Sequence, residues 1–244
     1  MSADGVLAPM ALAGLIPAGR PIRVVGDVHG DSRAFAIAAD TDRFVVQLGD
    51  LIDGGPDSAG ALETALRMLD EGRGLFVLGN HDRKLGRALG GQPVRIDAAL
   101  EATLAQLPMR LRDRALEAIE RAPAWVVMPP LVFVHGGFHT AMLEHAPPPG
   151  LGRVDVALSR ALFGETTGRM QADGYPERVL RWVDRIPAGV TVYCGHDRRS
   201  TDGRPYVRRG SGGGRAVFLD TGAGKGGHLS WIDLPPIQHD CISH

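Results

Sequence analysis

Cysteine is nearly missing from this 244-residue chain. The two present, Cys194 and Cys241, do not make a disulfide framework at this length, which fits a reduced, cytoplasmic setting. An excess of one charge is missing as well. The net charge is −1, so the surface as a whole is not built to follow a nucleic-acid backbone, although a local basic patch stays open. No apolar run is long enough to span a bilayer. The mildly apolar LAPMALAGLIP, Leu7 to Pro17, lacks the preceding Lys or Arg of a secretory signal and reads as a strand or loop packed on the body. There is no internal repeat. There is also no Gly-x-x-x-x-Gly-Lys-Ser/Thr loop, since GETTGRM and AGKGG miss that spacing, and this excludes kinase chemistry of the P-loop type. With 44% hydrophobic residues the chain can bury a sizeable core, and the expectation is a single domain across residues 1–244.

Short apolar strands alternate with helical segments, the pattern of a layered α/β protein. The expected strands are Ile22 to Val25, Phe44 to Leu48, Leu75 to Leu78, Leu131 to Val134, Thr191 to Cys194 and Ala216 to Leu219. Helical spacing covers Ser32 to Ala39, Ser58 to Asp70 and Val179 to Val183, with Asp57 or Ser58 as the cap of the second. A leucine-spaced region from Ala98 to Arg121 breaks the alternation and reads as an inserted helical cap, about residues 95–123, divided at Pro108. The runs at Pro147 to Gly150 and Ser211 to Gly214 read as surface loops.

The loops that follow these strands carry the chemistry. They read GDVHG (Asp27, His29), GDLID (Asp50, Asp53), GNHD (Asn80, His81, Asp82), HGG (His135) and GH (His196). A single Asp-x-His on a glycine turn has an ordinary explanation, because Gly and Asp are common turn residues. Five strand ends that each deliver an oxygen or nitrogen donor are a different matter, since ligands of open α/β sheets gather at the carboxyl ends of strands. The set reads as one metal site.

These ordered motifs resemble the calcineurin-like metallophosphoesterases, in the branch of serine/threonine phosphoprotein phosphatases and symmetrical diadenosine tetraphosphate hydrolases. GNHDRKLGRALGG, FGETTG and FLDTGAGKGGHLSWIDL are similar to the phosphatase module of bacterial polynucleotide kinase-phosphatases, and the likeness runs from about Ile22 to Leu234. The resemblance implies a layered β-sandwich flanked by helices, two divalent cations and hydrolysis of phosphate esters by an activated water. Two cations about 3.5 to 4 Å apart lower the pKa of a bound water and offset charge on the phosphoryl oxygens. They require a bridging anion, and Asp50 is assigned that role. The resemblance gives Asp27 and His29 to the first metal beside Asp50, and Asn80, His135 and His196 to the second. A donor set without cysteine favours manganese, with iron or zinc as alternatives. Where the wider superfamily writes Gly-His-x-His, this chain has Arg198 in place of the second histidine.

His81 follows Asn80 and is the expected general acid, with Asp53 keeping it protonated; the other reading of Asp53 is a turn residue. Asp220 is a candidate to support a ligand histidine. One position departs from the family. Its second motif usually continues Asp-Arg-Gly, with the arginine gripping substrate phosphate, and here that position is Gly54. Candidate replacements are Arg83, Lys84, Lys225, and Arg198 and Arg199 at the start of a segment, Arg198 to Arg215, that holds six arginines and one acid. A solvated hairpin is the competing reading of that segment. The expected function is a phosphatase acting on nucleotide or nucleic-acid phosphate ends. A phosphoprotein phosphatase, a diadenosine tetraphosphate hydrolase and a catalytically silent phosphate-binding module are the alternatives.

Overall fold

The computed structural model describes residues 15–236 apart from 173, 175 and 201. Most of the expected N-terminal strand or loop, and Cys241, lie outside the described residues; Ile16, at the border, is buried. Among those described no helix is long and apolar enough to cross a membrane.

Eleven strands and six α-helices are described. The strands β1 (Ile22–Val25), β2 (Phe44–Gln47) and β3 (Gly74–Phe76) pair in parallel, and β11 (Trp231–Leu234) closes the edge antiparallel to β1, giving the order β11-β1-β2-β3. A second sheet has the order β4-β5-β8-β10-β9, built from β4 (Trp125–Met128), β5 (Leu131–Val134), β8 (Thr191–Cys194), β9 (Tyr206–Arg209) and β10 (Arg215–Phe218). A hairpin of β6 (Glu165–Met170) and β7 (Pro176–Val179) stands apart.

Strand side chains alternate between faces, and this sorts the core into two parts. Val24, Val46, Val126, Phe133, Tyr193 and Val217 fill one cluster between the sheets. Val25, Val45, Val132, Val134 and Phe218 belong to the other, together with the apolar faces of the helices. The result is a sandwich of two sheets with helices outside, as expected. Its helices α1 (Ser32–Ala39) and α2 (Ser58–Asp70) fall on the expected residues, and Asp57 is the cap of α2, accepting from Gly60 N.

The differences have local causes. Asn80–Leu89 forms helix α3, not expected from the sequence because its apolar stripe is short, Leu85, Ala88 and Leu89 alone, in an otherwise polar segment. The segment expected to be helical at Val179 to Val183 instead ends β7 at Val179 and continues as a 3-10 turn, Arg181–Arg185. Only seven residues lie between that strand and Pro187, and the residue before a proline is biased away from helical backbone, yet Trp182 and Val183 still reach the core. Strands β4, β6, β7, β9 and β11 and helix α6 (Val156–Phe163) had no counterpart among the expected elements. The leucine-spaced region forms α4 (Ala98–Gln106) and α5 (Met109–Arg121), separated at Pro108 and packed on α2 and α3.

Candidate metal centre

The loops after β1, β2, β3, β5 and β8 meet at one end of the sandwich. Four non-glycine residues among those described hold positive φ, namely His29 (46°), Asp50 (56°), Asp53 (70°) and His196 (61°), and all four belong to these loops. Such backbone costs about 1 to 3 kcal/mol per residue and persists where its surroundings enforce it, most often at functional sites.

Asp50 stands at the middle. Its Oδ2 lies 3.7 Å from His29 Nε2 on one side and 3.4 Å from His135 Nε2 on the other. Asn80 Oδ1 is 3.1 Å and His196 Nδ1 3.2 Å from the same His135 nitrogen. Asp27 Oδ2 is 3.8 Å from His29 Nε2, and both Asp27 oxygens accept from His196 N. Donor atoms of Asp50, His29 and His81 form one compact group, and those of Asp50, His135 and His196 form a second. Asp50 is common to both.

The donors fit two cations. His29 Nδ1 faces the Ile52 carbonyl at 3.2 Å and His135 Nδ1 faces that of Leu48 at 2.8 Å. A carbonyl only accepts, so each Nδ1 carries the proton that bonds it, and each Nε2 points inward to Asp50. Asp27 and Asp50 are both almost wholly buried, and two neighbouring carboxylates without water call for positive charge. The electrostatics agree. Burial and the charge of Asp220 push Asp27 well above the usual carboxylate range. Burial would raise Asp50 too, but His135, His81 and His29 carry it well below. His135 is pushed up to about 10, burial opposing and Asp50 prevailing, so this spot attracts positive charge strongly enough to hold a proton inside the core. Burial, His135 and Arg178 together lower His196.

His81 opens α3 beside Asn80. Its Nδ1 lies 2.7 Å from Asp53 Oδ2, and Nε2 is 4.0 Å from Asp50 Oδ2. Burial opposes its protonation, yet the carboxylates of Asp50 and Asp53 raise its pKa. Asp53 is held from behind by the Thr103 hydroxyl of α4, which donates to its Oδ1 at 2.6 Å.

A cavity of about 620 Å³ opens over these groups, with Arg178, Arg198, Arg199 and Lys225 on its walls. Arg198, Arg199 and Lys225 were expected there. Arg83 and Lys84 were not brought to it. Arg83 donates to the carbonyls of Gly150 and Gly152, and Lys84 pairs with Asp97; both lie on α3, and these partners hold them off the cavity wall. Arg204, Arg208, Arg209 and Arg215 are not on the wall, and most of the arginine-rich segment is the hairpin β9–β10. Asp220 lines the cavity but accepts from Gly222 N and from no ligand histidine among the described residues.

Three residues at the site had no role assigned from sequence. Arg178 of β7 bonds His196 Nε2 at 3.0 Å. Asp82 accepts from the backbone N–H of Asp50, Leu51 and Gly79 at 2.7, 2.9 and 3.1 Å, pinning the second loop to the third. Thr103 is the third. Only Asp82 left a trace, as the last residue of GNHD.

Residues 20–197 match the family model of calcineurin-like phosphoesterases. The chain belongs to that family. This metallophosphoesterase is 28% identical over 238 residues to the asymmetrical bis(5'-nucleosyl)-tetraphosphatase PrpE of Geobacillus thermodenitrificans, covering 88% of this chain and 90% of the relative. It is 29% identical over 229 residues to the symmetrical bis(5'-nucleosyl)-tetraphosphatase of Bordetella pertussis, covering 88% and 76%. A protein serine/threonine phosphatase structure from Saccharomyces cerevisiae superposes with a TM-score of 0.56 at 15% identity, covering 97% of the metallophosphoesterase and 93% of that chain, a likeness of fold. The family places the protein among metal-dependent hydrolases of phosphate esters.

Proposed function

We propose that this metallophosphoesterase hydrolyses nucleotide polyphosphates, with dinucleoside tetraphosphates as the leading substrate class. Asp27, His29 and Asp50 would hold one divalent cation, and Asp50, Asn80, His135 and His196 a second. Manganese is the proposed metal, since the donors are oxygen and imidazole nitrogen. Cations held there lower the pKa of a water and offset phosphoryl charge. The chain's own groups do the rest. His81 delivers the proton from Nε2 to the leaving oxygen as the P–O bond breaks, while Asp53 on Nδ1 fixes the ring and favours its charged form. The helical region at about 95–123 is proposed as an insertion into a single domain, reaching the site through Thr103. The proposed setting is the cytoplasm.

The observation that carries the substrate reading is the cavity wall. Arg178 stands beside His196 and Lys225 beside His29, on opposite flanks of Asp50. A chain of several phosphates presents charge on both sides of the bond being broken, whereas a single phosphomonoester presents it on one. The relatives named for bis(5'-nucleosyl)-tetraphosphate hydrolysis point the same way. With manganese, diadenosine tetraphosphate is expected to be cleaved at a higher kcat/KM than a phosphopeptide, a 3'-phosphorylated nucleotide or a 2',3'-cyclic nucleotide. A higher value for the phosphopeptide overturns the substrate class. No turnover of any of them with any divalent metal overturns the enzyme reading.

A further inference from the structure

Resting on that reading, we infer that Lys225 is the cation that grips the substrate's phosphoryl group, and that it does so from the space a side chain at position 54 would occupy. Gly54 lies in the second loop with φ 109°. A Cβ built on it would sit 3.2 Å from Lys225 Cε and 3.4 Å from Lys225 Cγ, so the lysine stem lies across the glycine. Any larger residue there meets both that stem and an unfavourable backbone. The absence of a side chain at 54 and the presence of the lysine are one arrangement.

The loop that carries Lys225 is built to hold it there. Lys225 N and Gly227 N both donate to Gly222 O, at 3.1 and 2.8 Å. Gly224, at φ 67°, presses against the His29 backbone so closely that a Cβ would fall 2.1 Å from His29 O. Lys225, though exposed, is thereby set on the cavity wall next to His29.

Its charge is also uncommitted. Arg199 is fully engaged, with Nε and Nη2 on Asp197 at 2.9 and 2.6 Å. Lys225 is exposed, and its one hydrogen-bond partner among the described residues is His29 Nε2 at 2.9 Å, a nitrogen that brings no negative charge. An ammonium with no carboxylate paired to it stays available to an anion that arrives, and a phosphoryl oxygen makes a short charge-assisted bond to it. Lys225 Nζ lies 2.9 Å from His29 Nε2, and the His29 and His81 rings are 5.1 Å apart between centroids. An oxygen held at Nζ therefore lies close to a candidate metal ligand and on the side of the site that carries the candidate acid. Three rotatable N–H donors on a compact charge suit a tetrahedral phosphate without the fixed fork of an arginine.

The test uses the manganese-loaded protein and reads inorganic phosphate affinity by calorimetry, KM and kcat on diadenosine tetraphosphate, and bound metal by elemental analysis. Lys225→Met keeps the stem over Gly54 and removes the charge. Phosphate affinity is expected to fall about ten- to a hundred-fold, with KM rising in step and metal content unchanged; Lys225→Arg is expected to recover most of the loss. Gly54→Ala pushes the stem aside and weakens phosphate in the same direction, and the Lys225 pair decides alone should that variant fail to fold. Wild-type phosphate affinity in Lys225→Met overturns the inference and leaves the phosphoesterase reading standing. Loss of metal together with loss of phosphate also overturns it, because Lys225 would then act through His29. Wild-type protein that binds phosphate through Lys225 yet hydrolyses no phosphate ester ends the enzyme reading and not this one.

Discussion

His81 Nδ1 meets Asp53, and Asp53 meets Thr103, in a row of hydrogen bonds of 2.7 and 2.6 Å that runs from the cavity into helix α4. If His81 is the proton donor, His81→Ala lowers turnover of alkyl phosphates about 10² to 10⁴-fold and that of nitrophenyl phosphate far less, because nitrophenolate leaves unaided. Equal losses on both esters remove it from the role. Thr103→Val leaves one Asp53 oxygen without its buried donor, and a lost bond to a charged group is worth about 1.5 to 3 kcal/mol. The alkyl-ester rate is then expected to fall about tenfold, again sparing nitrophenyl phosphate; a uniform loss on both substrates assigns Thr103 to folding alone. Legibility at this scale followed chemistry. Asp27, His29, Asp50, Asn80, His135 and His196 stood out because each follows an apolar strand and is a residue type that ligates cations. Thr103 sits in AALEATLAQ, where nothing local distinguishes a hydroxyl that faces a carboxylate 50 positions away. Arg83 and Lys84 misled for the converse reason: a place beside His81 does not say which partner a long side chain reaches, and Gly150, Gly152 and Asp97 hold these two.

Helix α2 begins on Asp57, whose carboxylate accepts from Gly60 N at 2.8 Å and from Ser32 Oγ of α1 at 2.6 Å. The Ser32 and Gly60 bonds hold its pKa below the usual carboxylate range. A carboxyl lowered by folding adds stability above its unfolded pKa of about 3.9, and that contribution disappears as the pH falls through the lower folded value. Asp57→Ala is therefore expected to cost about 0.5 to 2 kcal/mol at pH 7 in urea unfolding, and progressively less below about pH 4. A difference that stays constant into acid contradicts the cap. This cap was readable in the sequence, as were β1, β5, β8, α1 and α2 to the residue, because each pairs a regular apolar period with a clear boundary. Helix α3 was not, since its apolar stripe is only Leu85, Ala88 and Leu89, and it also leans on packing against α5 and on the Asp82 bonds. The hairpin β6–β7 is mostly exposed and carries no alternation to find.

Across the molecule, five loops from both sheets converge on one buried carboxylate, and three of them hold non-glycine residues at positive φ. Cations that bind the folded chain and not the unfolded one add to its stability by mass action, about 2.7 kcal/mol at a hundred times the dissociation constant. Manganese is expected to raise the melting temperature and a chelator to reverse the rise; identical melting in both leaves the buried carboxylates without their counter-charge. The sandwich itself was foreseeable from strand and helix alternation joined to the family motifs. That Gly54 and Lys225 share one space, or that Arg178 comes from a separate hairpin to stand opposite, depends on packing between segments far apart in the chain. Metal stoichiometry by elemental analysis of the wild type and Asp50→Asn goes most directly to the bridging role. Two ions per chain in the wild type, with fewer in the variant and no turnover of any phosphate ester, is the expected result; an Asp50→Asn protein that keeps both ions contradicts it.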